Sequence, residues 1–417
     1  MEICKEFLLI GEKAKKAARQ LAFASTEAKN RSLLAMAQAL VDNQAEILKA
    51  NAIDVQRAEE KGLRKSLINR LRLTSNAILE MSNAIREVVN LPDPVGSGEF
   101  WTRPNGLKIQ KTRVPLGVVA MIYEARPNVT VDAAALCLKS GNACILRGGS
   151  EAIESNIVLA RIISEAAERS GSPAGSIQLV ELTDREYALQ LMRMNKYIDV
   201  IIPRGGAGLI QAVIENSTVP VIETGTGVCH AFVDKDADLA KAVEIVFNAK
   251  TQKPGVCNAL ETLLVHQDIA QEYLPLIGKK FKDYGVEIRG CAKVQSILEY
   301  AFPAEEDDWA TEYLDLIISV KVVSDLDEAL DHIYRYSTKH SEVIITENYT
   351  TAQRFLNEVD AAAVYVNAST RFTDGGRFGY GAEIGISTQK LHARGPMALP
   401  ELTTIKYIIY GENHIVT

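Results

Sequence analysis

From residue 114 to residue 366 the chain alternates short apolar runs with stretches of helical periodicity, and this alternation limits its fold more than any other feature. The runs fall at residues 118–123, 143–146, 177–182, 198–202, 230–233, 262–265, 316–323, 342–345 and 362–366. Helical patterns of ten or more residues separate most of them. A strand that returns to its own sheet through a helix lies parallel to its neighbour and is covered on both faces, so it reads as a continuous apolar run. The pattern predicts an α/β chain built on open, mostly parallel sheets. At 417 residues, two or three domains are expected. A second round of alternation starts near residue 228, which places a boundary there.

The first 92 residues read differently. Apolar positions recur at spacings of three and four around Phe7, Ala14, Leu21, Leu33, Leu40 and Ile47, the packing stripe of amphipathic helices. A breaker-rich segment follows, Leu91-Pro92-Asp93-Pro94-Val95-Gly96-Ser97-Gly98. Residues 100–112 then read as a hairpin turning at Asn105-Gly106, the preferred pair for a type I′ turn. A lone ribbon is marginal in water, so it needs a partner. Residues 403–410 form another strand pattern with aromatics. Hairpin and tail together suggest an arm that pairs between subunits.

The net charge of −7 argues against a general nucleic-acid binder but leaves room for a local basic pocket. No apolar run reaches the length of a bilayer, and acids at Glu2 and Glu6 do not fit a secretory signal. The six cysteines (4, 137, 144, 229, 257 and 291) lie far apart with no CxxC pair, which predicts free thiols in a cytoplasmic chain and no metal site.

Cys257 stands apart from the other five. In Gln252-Lys253-Pro254-Gly255-Val256-Cys257-Asn258 a Pro-Gly turn delivers one thiol just before an apolar run. A thiol held rigidly at a turn suits a nucleophile, because the thiolate attacks carbonyl carbon and its environment sets its pKa. Spacing alone leaves open a small buried packing residue. Two glycine turns also follow apolar runs. In Pro203-Arg204-Gly205-Gly206-Ala207-Gly208, Gly205 and Gly206 would let backbone N–H groups approach a pyrophosphate at a helix N-terminus. This is not the GxGxxG fingerprint, and a plain tight turn explains it as well. In Arg147-Gly148-Gly149-Ser150 an arginine follows the run, with no acid until Glu151. An acid there would bind a ribose 2′-hydroxyl, whereas arginine with a small hydroxyl accommodates a 2′-phosphate, favouring NADP over NAD.

Together these motifs resemble the aldehyde dehydrogenase superfamily, and within it the branch that reduces γ-glutamyl phosphate. The resemblance spans essentially the whole chain. It rests on Tyr123-Glu124-Ala125-Arg126-Pro127-Asn128-Val129-Thr130, Lys139-Ser140-Gly141-Asn142-Ala143, Pro203-Arg204-Gly205-Gly206 and Glu223-Thr224-Gly225-Thr226-Gly227, followed by the Cys257 motif and Leu391-His392-Ala393-Arg394-Gly395-Pro396-Met397.

The resemblance implies NADPH-dependent reduction of L-glutamyl 5-phosphate to L-glutamate 5-semialdehyde and phosphate through a cysteine thioester, in proline biosynthesis. By position it makes Cys257 the nucleophile and Asn128 an oxyanion donor. Arg147, Gly148, Ser150, Gly205, Gly206 and Glu312 would bind the cofactor, Glu312 through the nicotinamide ribose. Glu223 matches the acid that activates water in hydrolytic relatives. An acyl-phosphate reductase needs no such water, so Glu223 is grouped with the cofactor residues, as a strand-end acid ordering the turn at 225–227. Arg126, Lys253 and Arg371 are candidates for the substrate's anionic groups.

The expected architecture has three parts. Residues 1–97 and 116–227, with 390–402, form a nucleotide-binding domain, and 228–389 form a catalytic domain. Residues 98–115 and 403–417 form an oligomerisation arm giving a homodimer or dimer of dimers. Association with the glutamate 5-kinase that makes the unstable substrate is a further expectation. Two rival readings remain, a hydrolytic aldehyde dehydrogenase with Glu223 as base and an inactive member kept as a scaffold.

Overall fold

The computed structural model describes residues 3–416 and separates into two compact units. The first unit takes the chain up to Thr224, then Gly379–Gly385, then the stretch from Met397 onward. The second takes Gly225–Phe378 and Ile386–Pro396.

The core of the first unit is a four-stranded parallel sheet in the order Ile177–Leu179, Ala143–Arg147, Val118–Tyr123, Val200–Arg204. Every residue of Val118–Tyr123 is buried, as its uninterrupted apolar run requires. From this strand the chain first builds outward on one side, then returns to add Val200–Arg204 on the other. Such a reversal leaves an opening at the carboxyl ends of the strands. The register aligns Ile122 with Arg147 and Tyr123 with Arg204, so both glycine turns and the Glu124–Asn128 segment leave from one edge.

The N-terminal helices pack by their predicted stripes. Helix Thr26–Asp42 starts at Ser25, whose hydroxyl accepts from the Ala28 N–H at 3.2 Å, and buries Leu33, Met36, Ala37 and Leu40. Helix Ser75–Asn90 starts the same way from Thr74.

The arm is a three-stranded antiparallel sheet ordered Gly98–Thr102, Lys108–Pro115, Thr403–Tyr410. Its turn differs from the expected type I′, which needs positive φ at both central residues. Here only Gly106 is positive (φ 91°), and the Gly106 N–H bonds back to Arg103 O at 2.9 Å. Pro104, with φ fixed near −65°, suits the first corner of a type I turn and leaves Gly106 to take the left-handed position after it.

The second unit holds a seven-stranded, fully parallel sheet. Its order is Phe302–Pro303, Glu287–Gly290, Ile317–Val323, Leu260–His266, Cys229–Val233, Ser341–Ile345, Ala363–Val366. Leu260–His266 is buried throughout. The sequence pattern misses two strands, Glu287–Gly290 and Phe302–Pro303. The first is short and mixes charge with apolar residues, and the second is a two-residue edge containing proline.

The expected assignment of 228–389 to one domain and 390–402 to the other also needs correction. Ile386–Pro396 closes on itself through an antiparallel pair, Ile386 opposite Pro396. Arg394 fastens that loop to Asp360 at 2.8 Å within the second unit. Among the described residues, no helix is long and apolar enough to cross a membrane.

Candidate active site

In the first unit a cavity of about 830 Å³ opens at the carboxyl edge of the sheet, lined by Arg57, Glu124, Arg147, Gly149, Ser150, Glu151 and Arg185 among others. Arg147 ends its strand and donates from Nη2 to the Thr183 carbonyl at 2.7 Å. Burial pulls its pKa down and the nearby Glu151 opposes that shift. Arg147 Nε is buried with no hydrogen-bond partner among the described residues. Ser150 is exposed at the start of a short 3-10 turn.

The sequence pattern leaves Arg147 with no acid at its turn, but the structure folds one back. The Glu151 carboxylate lies over Gly149, where a Cβ would come 2.3 Å from Oε1, and it accepts the Ala125 N–H at 2.7 Å. Ala125 itself has φ 30°, a left-handed conformation that costs a non-glycine residue energy and concentrates at functional sites. Gly148 is buried beneath Asn156, whose amide nitrogen would sit 2.1 Å from a Cβ, so packing alone demands glycine there.

At the second turn, Gly206 precedes helix Ala207–Asn216. Its N–H donates to Glu124 Oε2 at 2.9 Å, and a Cβ on Gly205 would lie 2.6 Å from the same oxygen. The predicted anion-binding helix end therefore holds an internal carboxylate. Glu124 and Glu151 were not singled out by the sequence reading; each is an acid beside a glycine turn, and only the fold shows where its carboxylate lands.

Asn128 is the first residue of helix Asn128–Lys139 and is half-buried. Its side-chain amide donates to Asp132 Oδ2 at 2.9 Å, one helical turn on. Burial raises the Asp132 pKa to about 6, against the opposing Asn128 bond and the Arg204 charge. Arg126 and Glu223 are half-buried in the same unit.

In the second unit Cys257 is half-buried in the turn between helix Leu239–Thr251 and strand Leu260–His266. The turn is braced from several sides. Asn258 donates to Thr373 O at 2.8 Å, Thr370 donates to Asn258 O at 2.8 Å, and Arg371 bonds both Gln252 (2.9 Å) and Asn258. Arg371 thus braces the Cys257 turn, while Lys253 is exposed on it.

Gly227 passes against the turn so closely that a Cβ would fall 1.5 Å from the Cys257 carbonyl oxygen. The Gly227 N–H donates to Glu312 Oε1 at 2.7 Å, and the Gly225 N–H to Ile386 O at 2.9 Å. Glu312 and Ile386 therefore hold the 225–227 turn, a role the sequence reading gives to Glu223. Cys229, fully buried, donates to the Cys257 carbonyl at 3.2 Å, and burial pushes its thiol pKa up. His230 pairs instead with Glu342 at 3.0 Å in the core. No cluster of three or more metal-ligating side chains occurs among the described residues.

The chain belongs to the aldehyde dehydrogenase family, whose sequence model matches residues 6–289. It is 72% identical over 417 residues to a γ-glutamyl phosphate reductase of Desulfitobacterium hafniense, covering all of both chains. A crystal structure of γ-glutamyl phosphate reductase from Thermotoga maritima matches with TM-score 0.97 and 52% identity, covering 99% of this chain and 100% of that one. An acetylating aldehyde dehydrogenase from Geobacillus thermoglucosidasius shares the fold at 19% identity, TM-score 0.73, covering 99% and 98% of the two chains.

Proposed function

We propose that this enzyme reduces L-glutamyl 5-phosphate with NADPH, giving L-glutamate 5-semialdehyde and phosphate in proline biosynthesis. The observation that carries the reading is the half-buried Cys257 on a turn braced by Arg371, Asn258 and Thr370, in a chain 72% identical to a γ-glutamyl phosphate reductase. The first unit serves as the nucleotide-binding domain and the second as the catalytic domain.

The Cys257 thiolate attacks the acyl carbon of the mixed anhydride. Negative charge develops on the carbonyl oxygen, and the Asn128 amide with a backbone N–H beside Cys257 stabilises it. One such donor is worth about 3 kcal/mol in the transition state. Phosphate departs with the electron pair of the broken C–O bond, leaving a thioester on Cys257. Bound NADPH would supply the hydride that the thioester carbon accepts. The hemithioacetal then collapses, releasing the semialdehyde and the free thiolate. With phosphate as leaving group no activated water is needed, and Glu223 acts with Glu312 on the cofactor side. Arg126, Lys253 and Arg371 supply positive charge for the substrate's phosphate and α-carboxylate.

The residues of the first-unit cavity fit NADPH. Arg147 Nε lacks a protein partner, Ser150 is exposed beside it, and Arg57 and Arg185 line the same space, a donor set matched to a 2′-phosphate. Gly205 and Gly206 border the pyrophosphate path. The Gly206 N–H would then exchange its bond to Glu124 for one to the bound anion. The arm mediates self-association as a dimer or dimer of dimers, in the cytoplasm, with glutamate 5-kinase as a transient partner.

The reverse reaction tests this reading. Glutamate 5-semialdehyde is supplied with NADP⁺ or NAD⁺, with and without inorganic phosphate, and reduced cofactor is followed by absorbance with Cys257→Ala as control. Turnover that needs phosphate, prefers NADP⁺ and disappears in the variant is expected. Turnover without phosphate would make the enzyme hydrolytic and return Glu223 as its base. No turnover would overturn the substrate assignment.

A further inference from the structure

The turn that carries Cys257 is closed at its base by a buried ion pair. Lys250 lies in the last turn of the helix before it, and Glu261 is the second residue of the strand after it. Lys250 Nζ donates to Glu261 Oε2 at 2.6 Å, and both side chains are fully buried. The pair therefore ties together the two ends of the segment bearing the nucleophile. An apolar pair of similar volume would hold a core together as well as an ion pair does, so the ionic form points to a directional task.

The second carboxylate oxygen shows what that task is. Glu261 Oε1 accepts the backbone N–H of Leu314 at 3.2 Å. Leu314 has φ 54°, a left-handed conformation unfavourable for leucine, so it needs outside support. Lys250 Nζ also lies 5.9 Å from the centre of the Tyr313 ring. Tyr313 is anchored in turn by hydroxyl contacts to Asp308 (2.8 Å) and Ser319 (2.7 Å). The segment fixed this way begins with Glu312, which holds the Gly227 N–H, and Gly227 lies against the Cys257 carbonyl.

We propose that Lys250 and Glu261 are positioning residues that set the Cys257 turn from below and, through Leu314, set the Glu312 carboxylate beside it. Neither touches substrate or cofactor. Both act on two groups that do, according to the reading above, on which the kinetic part of this proposal rests. The charged and titratable groups around the pair are Tyr313, Asp315, Cys229 and Glu312. Burial lowers the lysine pKa and raises that of Glu261 to about 7, and each partner's charge opposes the other's shift.

Removing one partner strands a charge in the core, so the first variant is the neutral double K250M/E261Q. The second is E261D, which keeps both charges but retracts the carboxylate by one methylene. Four quantities are read in the full-length enzyme. These are the melting temperature, the rate of iodoacetamide labelling of the Cys257 peptide from pH 6 to 10 by mass spectrometry, and kcat and KM for NADPH. The proposal expects folded variants, a labelling rate at pH 8 changed by about fivefold or more, and kcat lower by about tenfold, because small displacements at a reacting centre act strongly on rate. KM for NADPH should rise severalfold through Glu312.

Unchanged labelling, kcat and KM in a folded double variant would overturn the proposal and leave the pair a packing feature. If the double variant does not fold, E261D decides by the same criteria. Labelling needs no turnover, so failure of the glutamyl-phosphate reading would be seen in the parent enzyme and would not be confused with failure of this one.

Discussion

The Asn128 amide carries two hydrogens, and in this structure Asp132 accepts one of them at 2.9 Å. The bond turns the other hydrogen in a fixed direction, which an oxyanion donor needs. Asp132→Ala should therefore leave Asn128 in place yet lower kcat by about tenfold, less than the 10²–10³-fold typical of losing a donor outright. Because Asp132 titrates near 6, kcat in the parent should fall as pH drops through that value, and this limb should flatten in the variant; a pH–rate profile checks both. The stability effect has the opposite sign. A carboxyl raised from 3.8 to about 6 favours the fold below about pH 4 and loses that contribution as pH rises through 6. Asp132, Glu124 and Glu151 are invisible in the sequence for one reason. Each is an ordinary acid whose importance comes from the atom its carboxylate reaches in the fold. Cys257 and the two glycine turns can be singled out because each is flagged by its adjacent residues.

Helix Leu326–Tyr336 shows how an element imposes a charge state on a buried group. Its inward face carries His332, packed against the rings of Trp309 (5.4 Å), His230 (5.6 Å) and Tyr336 (4.6 Å). Burial, with help from neighbouring positive groups, lowers the His332 pKa to about 2. The native state keeps this ring neutral while the unfolded chain protonates it below about 6.5, so stability falls as pH drops from 6.5 toward 2. The slope from this one site is at most about 1.4 kcal/mol per pH unit. His332→Phe keeps an aromatic ring and removes the proton site. Urea midpoints measured at pH 7 and pH 4.5 should differ less in the variant than in the parent; an equal difference would sink this account. At the same scale, all nine apolar runs became strands, and central ones such as Val118–Tyr123 and Leu260–His266 are buried along their whole length. The hairpin's turn type and the strands Glu287–Gly290 and Phe302–Pro303 were not legible, since Pro104 at the corner outweighs the Asn-Gly preference and those two strands are short and carry charge or proline.

At the scale of the whole molecule, the arm leaves an apolar strand edge open. Strand Thr403–Tyr410 is the outer strand of its sheet and exposes Ile405, Tyr407, Ile409 and Tyr410. A long apolar edge invites pairing with another chain. Placing charge there, as in Ile405→Asp with Ile409→Asp, should shift sedimentation toward smaller species without changing the circular dichroism of either α/β unit. An unchanged sedimentation coefficient would remove the arm from the assembly. The sequence shows that the arm exists. Its partner strand and register are long-range choices that local patterning does not record.

That same sheet sets a timetable for synthesis. The strand Lys108–Pro115 is central in the arm, yet one of its two neighbours is nearly the last segment to be made: Arg113 and Thr403, which hydrogen-bond at 2.8 Å, lie 290 positions apart. At about 5–20 residues per second, a ribosome takes roughly 15–60 s to cover that gap. Throughout that interval the nascent chain displays an unpaired strand edge, and the second unit is finished before the first can be. The arm's central strand thus waits for its second neighbour until translation is nearly over.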